Sequence, residues 1–106
     1  MEQINSVILR GIIGNASIEN IGETQIVRFA VATDYAYRNR SGEAVIETTW
    51  LPVKAFKNDK MPDFSVLVRG TGVMVKGRLR NNRFIDSNGA ERIFTEVFAN
   101  EIEIVR

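Results

Sequence analysis

The residues best suited to chemistry in this chain are rings and cations at strand spacing. In Thr49-Trp50-Leu51-Pro52-Val53-Lys54-Ala55-Phe56, period-2 alternation sends Leu51, Val53 and Ala55 to one face and Trp50, Pro52, Lys54 and Phe56 to the other. The first set looks like core. The second holds the only tryptophan, a phenylalanine and a lysine. Flat rings beside a cation on an open face can stack a nucleotide base while the charge meets its phosphate. The competing interpretation is a second core layer, with Trp50 and Phe56 under a helix or a partner chain. For one isolated strand that interpretation is the simpler, so repetition elsewhere has to decide.

The pattern does repeat. Tyr37 stands beside Arg38 and near Arg40, and Phe84 follows Arg78 and Arg80. Basic residues gather at Arg38–Arg40, Lys54–Lys60 and Lys76–Arg83, and acidic ones at Glu19–Glu23 and Glu101–Glu103. Taken singly, each arginine is a solvated surface charge. Taken together, the three ring-plus-cation groups require three coincidences. Tyr37, Arg38, Trp50, Lys54, Phe56, Lys76, Arg78, Arg80 and Phe84 are therefore the candidate binding residues.

Composition narrows the alternatives. The 106 residues suit one domain over residues 1–106 with one core. There is no cysteine, hence no disulfide framework or thiolate metal site, and no histidine, the commonest general base. No metal-ligand cluster or cofactor motif stands out. Gly70-x-Gly72 and Gly77 lack phosphate-loop spacing, and Asp59 and Asp63 read as solvated carboxylates. An enzyme is not expected. The net charge of +1 is uninformative, so distribution matters more than the sum. Without a signal peptide or a spanning apolar run, a soluble cytosolic protein is expected.

Five strands must position the candidate residues. Ile4 to Gly14 is the first, with Val7, Leu9 and Gly11 on one face and Ile8, Arg10 and Ile12 on the other. Gly14-Asn15 is a turn signal, and Glu19 to Gln25 reads as a loop. Ile26 to Thr33 is the second strand, and Asp34 to Glu43 leaves the barrel as a loop. Ala44 to Phe56 is the third, with Pro52 marking a bulge or a locally free edge. Asn58 to Val68 is a helix of one or two turns, capped by Asn58 or Asp59, with Met61, Phe64 and Val68 on one stripe. Val73 to Asp86 is the fourth strand, with Val73, Val75, Gly77 and Leu79 inward. Asn81-Asn82 offers an alternative hairpin, but Asp86-Ser87-Asn88-Gly89 is the stronger turn. Arg92 to Ala99 is the fifth, extended by Ile102 and Ile104. Five strands with a short helix between the third and fourth is the order of an all-β OB-fold barrel. Small SH3-like barrels rarely place a helix in that gap.

Five motifs in order then carry a resemblance. Asn5-x-Val7-Ile8-Leu9-x-Gly11-x-x-Gly14, Phe29-Ala30-Val31-Ala32-Thr33, Thr49-Trp50 with Phe56, Val75-x-Gly77-Arg78-Leu79-Arg80, and Asp86-x-x-Gly89-x-x-Arg92-x-x-x-Glu96-Val97 resemble the bacterial single-stranded DNA-binding protein family from Asn5 to about Ala99. The resemblance implies base stacking at Trp50, Phe56, Tyr37 and Phe84, the last two being sites where tryptophan is common. It implies sequence-independent binding of single-stranded DNA in replication, recombination and repair, near the nucleoid. It also implies a homotetramer, with a dimer as the alternative, in which the first strand pairs subunits through Ile8 and Ile12. The family normally continues into a disordered tail that recruits partner enzymes. The sequence ends at Arg106 without one, so the expectation of DNA binding carries over and that of tail-borne recruitment of replication and repair proteins does not. A primosomal-type accessory protein of the same fold, acting mainly through protein partners, is the alternative.

Overall fold

Runs in which Val, Ile, Phe and Ala alternate with polar residues build five strands in a computed structural model that describes residues 1–105; Arg106 lies outside the described residues. The strands are β1 (Val7–Ile21), β2 (Thr24–Arg38), β3 (Ala44–Phe56), β4 (Gly72–Ile85) and β5 (Glu91–Ile104). They close into a barrel in the order β1-β2-β3-β5-β4, the five-stranded arrangement of an OB-fold. Every pairing is antiparallel except the seam between β3 and β5. That seam joins only Val53–Ala55 to Val97–Ala99.

The core is one cluster. Ile13, Val27, Phe29, Val31, Val53, Val73, Val75, Val97 and Ile102 face inward from all five strands and are almost fully buried. Each such side chain contributes roughly 1.5–3 kcal/mol of transfer free energy. On β1 and β3 the faces follow the expected alternation. Ile8 and Ile12 are exposed while Val7 and Leu9 pack against the core. Pro52 sits opposite Ala30 with the β2–β3 register unbroken. The β5 pairing of β3 starts only at Val53, so Pro52 occupies a locally free edge rather than a bulge.

Several boundaries differ from expectation. Gly14-Asn15 does not turn the chain: β1 runs on to Ile21, and the β1–β2 register shifts between Ile13 and Ala16. The glycine signal therefore marks a bulge, the other use of glycine in a strand. The expected loop over residues 19–25 is a tight hairpin in which Ile21 pairs with Thr24. Gly22 adopts φ 60 at the first central position, as a II′ turn requires. Residues 34–38 likewise stay in β2, with Tyr37 opposite Val45 and Arg38 opposite Ala44. That paired arm extends β2 and β3 beyond the core.

The expected helix shrinks to a 3-10 turn at Phe64–Val66, capped by Asp63, whose carboxylate accepts from the Ser65 N–H at 2.9 Å. Asn58 is engaged differently: its side chain accepts from the Lys60 N–H and donates to the Asn100 carbonyl. This ties the start of the segment to β5 and leaves it a turn. Met61, Phe64 and Leu67 fill the core, whereas Val68 is exposed. In β4, Val73 and Val75 are buried as expected but Leu79 is 43% exposed. The β4–β5 register shifts between Lys76 and Gly77, and past the core residues Ala99 and Val97 the hairpin continues as a second arm. Asn5 secures its base, donating to the Leu79 carbonyl at 2.8 Å and accepting from the Leu79 N–H at 2.9 Å. The arm turns at Asp86–Gly89 rather than Asn81-Asn82, both of which remain in β4.

Candidate nucleic-acid interface

Register places the central residues on one open face. Arg28 lies opposite Lys54, Lys54 opposite Phe98, and Phe98 opposite Arg78. This gives one row across β2, β3, β5 and β4 with three cations around a ring. Phe56 adds a second ring, its centroid 5.8 Å from that of Phe98. The Lys54 Nζ sits 5.6 Å from the Phe56 centroid. The guanidinium carbons of Arg78 and Arg80 lie 4.9 and 4.4 Å from the Phe98 centroid. These distances are within cation–π range.

Trp50 occupies the same face of β3, two steps before Pro52, and is 55% exposed; Phe56 is 41% exposed. Both are thus outward, as strand parity requires. A groove of about 370 Å³ runs between the β2–β3 face and the β4–β5 arm. Arg28, Ala30, Pro52 and Lys54 line one side, and Asn82, Phe94 and Glu96 the other.

Glu96 is the one buried charged residue among the described residues, at 4% exposure. Its Oε2 accepts from Arg80 at 3.1 Å and from the Asn82 side-chain amide. Arg80 is therefore clamped between a carboxylate and the Phe98 ring, with its Nε buried and unpartnered. Lys54, Arg78, Lys76 and Arg38 make no ion pair among the described residues. Lys76 lines a neighbouring polar groove with Arg78 and Phe98.

The other expected residues lie on the two arms. Phe84 is half-exposed and packs edge-on against Phe94, centroids 5.9 Å apart. Tyr37 pairs with Tyr35 at 6.1 Å. Unbroken register puts Tyr37 opposite Val45 but Arg38 opposite Ala44, in the alternation that carries Trp50. Arg38 therefore shares a sheet face with Trp50, and Tyr37 takes the reverse face of its arm. The Arg38 guanidinium donates to the Gly42 carbonyl at 2.7 Å, bracing the arm's tip. At the other tip the Asp86 carboxylate holds Arg92 at 2.8 Å and accepts from the Ala90 and Asn88 N–H groups. The Arg92 bond, then the Ala90 bond, holds the Asp86 carboxyl below the usual aspartate range.

Phe94, Glu96 and Phe98 were not among the candidates drawn from the sequence. The signal was present: they alternate along β5 at period 2, one on each outward position, and assigning faces to the fifth strand finds them.

A closed OB-fold barrel with one ring-and-cation face and a flanking groove is the class this geometry defines. Residues 4–105 match the Single-strand binding protein family, and the chain belongs to it. Among similar proteins, a single-stranded DNA-binding protein of Xanthomonas campestris is 30% identical over 104 residues. That alignment covers 96% of this chain and 60% of the relative. The mitochondrial single-stranded DNA-binding protein of Drosophila melanogaster is 27% identical over 97% of this chain and 72% of its own length. A Plasmodium falciparum SSB solved in complex with ssDNA superposes with a TM-score of 0.78 at 21% identity. The superposition covers 99% of this chain and 96% of the other.

Proposed function

We propose that the chain binds single-stranded DNA without sequence preference, protecting it during replication, recombination and repair. The observation that carries this is the open row Arg28–Lys54–Phe98–Arg78 with Phe56 and Trp50 on the same face. Rings there stack bases at about 1–3 kcal/mol each and barely discriminate among them. Lys54 and Arg78, free of carboxylate partners among the described residues, meet phosphates. Arg38 and Lys76 extend the charged track, and Phe84 and Tyr37 supply arm contacts. Arg80 acts mainly as a plane stacked on Phe98, since Glu96 already neutralises it. The family membership and the ssDNA-binding relatives support this reading. The exposed Ile8 and Ile12 support self-association through β1 into a homotetramer.

The test is titration of the Trp50 fluorescence with oligo-dT at two salt concentrations. The expected result is strong quenching, with a log–log salt slope of about −0.7 per phosphate contacted. Absence of quenching and of binding at low salt would overturn the reading and favour an accessory protein acting through protein partners.

A further inference from the structure

Trp50 and Gly14 stand on different strands with β2 between them. Ile12, Ala32 and Trp50 form one row across β1, β2 and β3 on the outer face. Strand spacing near 4.8 Å puts β1 and β3 roughly 10 Å apart. Even so, the far end of the indole reaches β1. A Cβ built on Gly14 would stand 2.6 Å from Cζ3, 3.2 Å from Cη2 and 3.5 Å from Cε3 of Trp50. Only a side chain lying down across β2 spans that gap. Gly14 is correspondingly buried although it faces outward, because the indole covers it. On β2, which the indole crosses, the outward residues beside this diagonal are Ala32, opposite Trp50, and Ala30, opposite Pro52, both with the smallest side chain that a strand interior carries without backbone cost. Gly14 also sits at the β1 bulge, where the register shifts between Ile13 and Ala16. Such bulges re-aim side chains beside functional sites.

We infer that Gly14 and Ala32 are positioning residues that seat Trp50 flat on the sheet, so that one indole face is presented to a single base. The inference rests on the single-strand-binding reading above and assigns how its central ring is aimed. A methyl at Gly14 meets ring carbons rather than the end of a flexible chain, so the indole must lift. A lifted ring loses parallel contact with a base while remaining on the surface.

The experiment compares Gly14→Ala and Ala32→Val, each with Trp50 present and with Trp50→Ala. Affinity for fluorescein-labelled oligo-dT is read by anisotropy, and access to Trp50 by acrylamide quenching without DNA. With Trp50 present, each variant is expected to bind about tenfold more weakly and to show greater quencher access. In the Trp50→Ala background neither should lose more than about twofold, since the ring it seats is gone. Two outcomes overturn the inference: wild-type affinity and unchanged quenching, or an equal loss in both backgrounds. If Gly14→Ala does not fold, Ala32→Val raises the same bed from the middle strand and decides alone. If the wild-type chain binds no oligo-dT, the single-strand reading falls. Quenching then still judges the seat, which stands if access to Trp50 rises and fails if it does not.

Discussion

At the scale of single residues, Phe98 is the hub of the candidate interface, because two guanidinium groups and the Phe56 ring all rest on it. Truncating it frees Arg78, leaves Arg80 held by Glu96 alone and removes the support of Phe56 at once. Phe98→Ala should therefore weaken oligo-dT binding by more than the roughly 1–3 kcal/mol of one stacked base, measured by equilibrium titration. Glu96 is different, since its loss leaves the largely buried Arg80 without its counter-charge. Glu96→Ala should cost about 3 kcal/mol of folding stability, the low end for a broken buried pair because Arg80 keeps some solvent. Chemical denaturation checks it, with Glu96→Gln expected to lose less. Asp86 gives a pH signature. Its folded carboxyl titrates below its unfolded value, so what it adds to the arm's tip is fully present above the unfolded pKa of about 3.9. That contribution is lost as the pH falls through the lower folded pKa. Amide shifts of Asn88 and Ala90 should move together over that acid window, and Asp86→Asn should abolish the step.

At the scale of elements, the two arms carry candidate binding residues beyond the buried core. The β4–β5 arm beyond Asn82 and Phe94 supplies no member of the buried core. Replacing residues 84–92 with a two-residue Asn-Gly turn should leave the thermal transition cooperative and lower oligo-dT affinity about five- to tenfold through loss of Phe84. Unfolding of the shortened chain would show instead that the arm is structural. The same elements show what was legible in the sequence. Strand β3 was readable to its ends and faces, because Leu51, Val53 and Ala55 alternate cleanly with larger or polar neighbours. Three readings failed for a common reason. The 14–15 turn, the 34–43 loop and the 58–68 helix were drawn from local residue type, while pairing partners far along the chain determined the outcome. Gly14 turned into a bulge because β2 continues alongside it. Tyr37 became strand because Val45 lies opposite. Asn58 left the helix because Asn100 claims its side chain. Leu79 had the right parity but, with its partner Val97, is the last inward pair of the hairpin before the arm begins, and parity carries no information on where a barrel ends.

At the scale of the whole molecule, the near-neutral net charge of +1 conceals a cationic face, so long-range attraction is modest and close contact does most of the work. Affinity should fall with salt at a slope set by the few cations on that face, Lys54, Arg78, Arg38 and Lys76. Charge removal at Arg78 should lower the slope by about 0.7. The apolar residues Ile8 and Ile12 on the outer face of β1 predict that Ile8→Lys shifts sedimentation toward smaller species. An unchanged mass would place self-association elsewhere.

The narrow β3–β5 seam has a consequence for how the chain reaches its native state. The β1–β2–β3 meander and the β4–β5 hairpin each join strands adjacent in sequence. The three-residue parallel seam and the β1–β4 edge instead join segments far apart along the chain. Non-local closure is the slow event in β-barrel assembly. The two sheets should form first and dock last, so the transition state is a barrel still open along Val53–Ala55. Substituting Val97→Ala should then raise the unfolding rate far more than it slows refolding, which stopped-flow chevrons would read directly. The row that gathers the rings and cations crosses this same seam, so on that order of events the candidate binding surface would be completed only in the final step of folding.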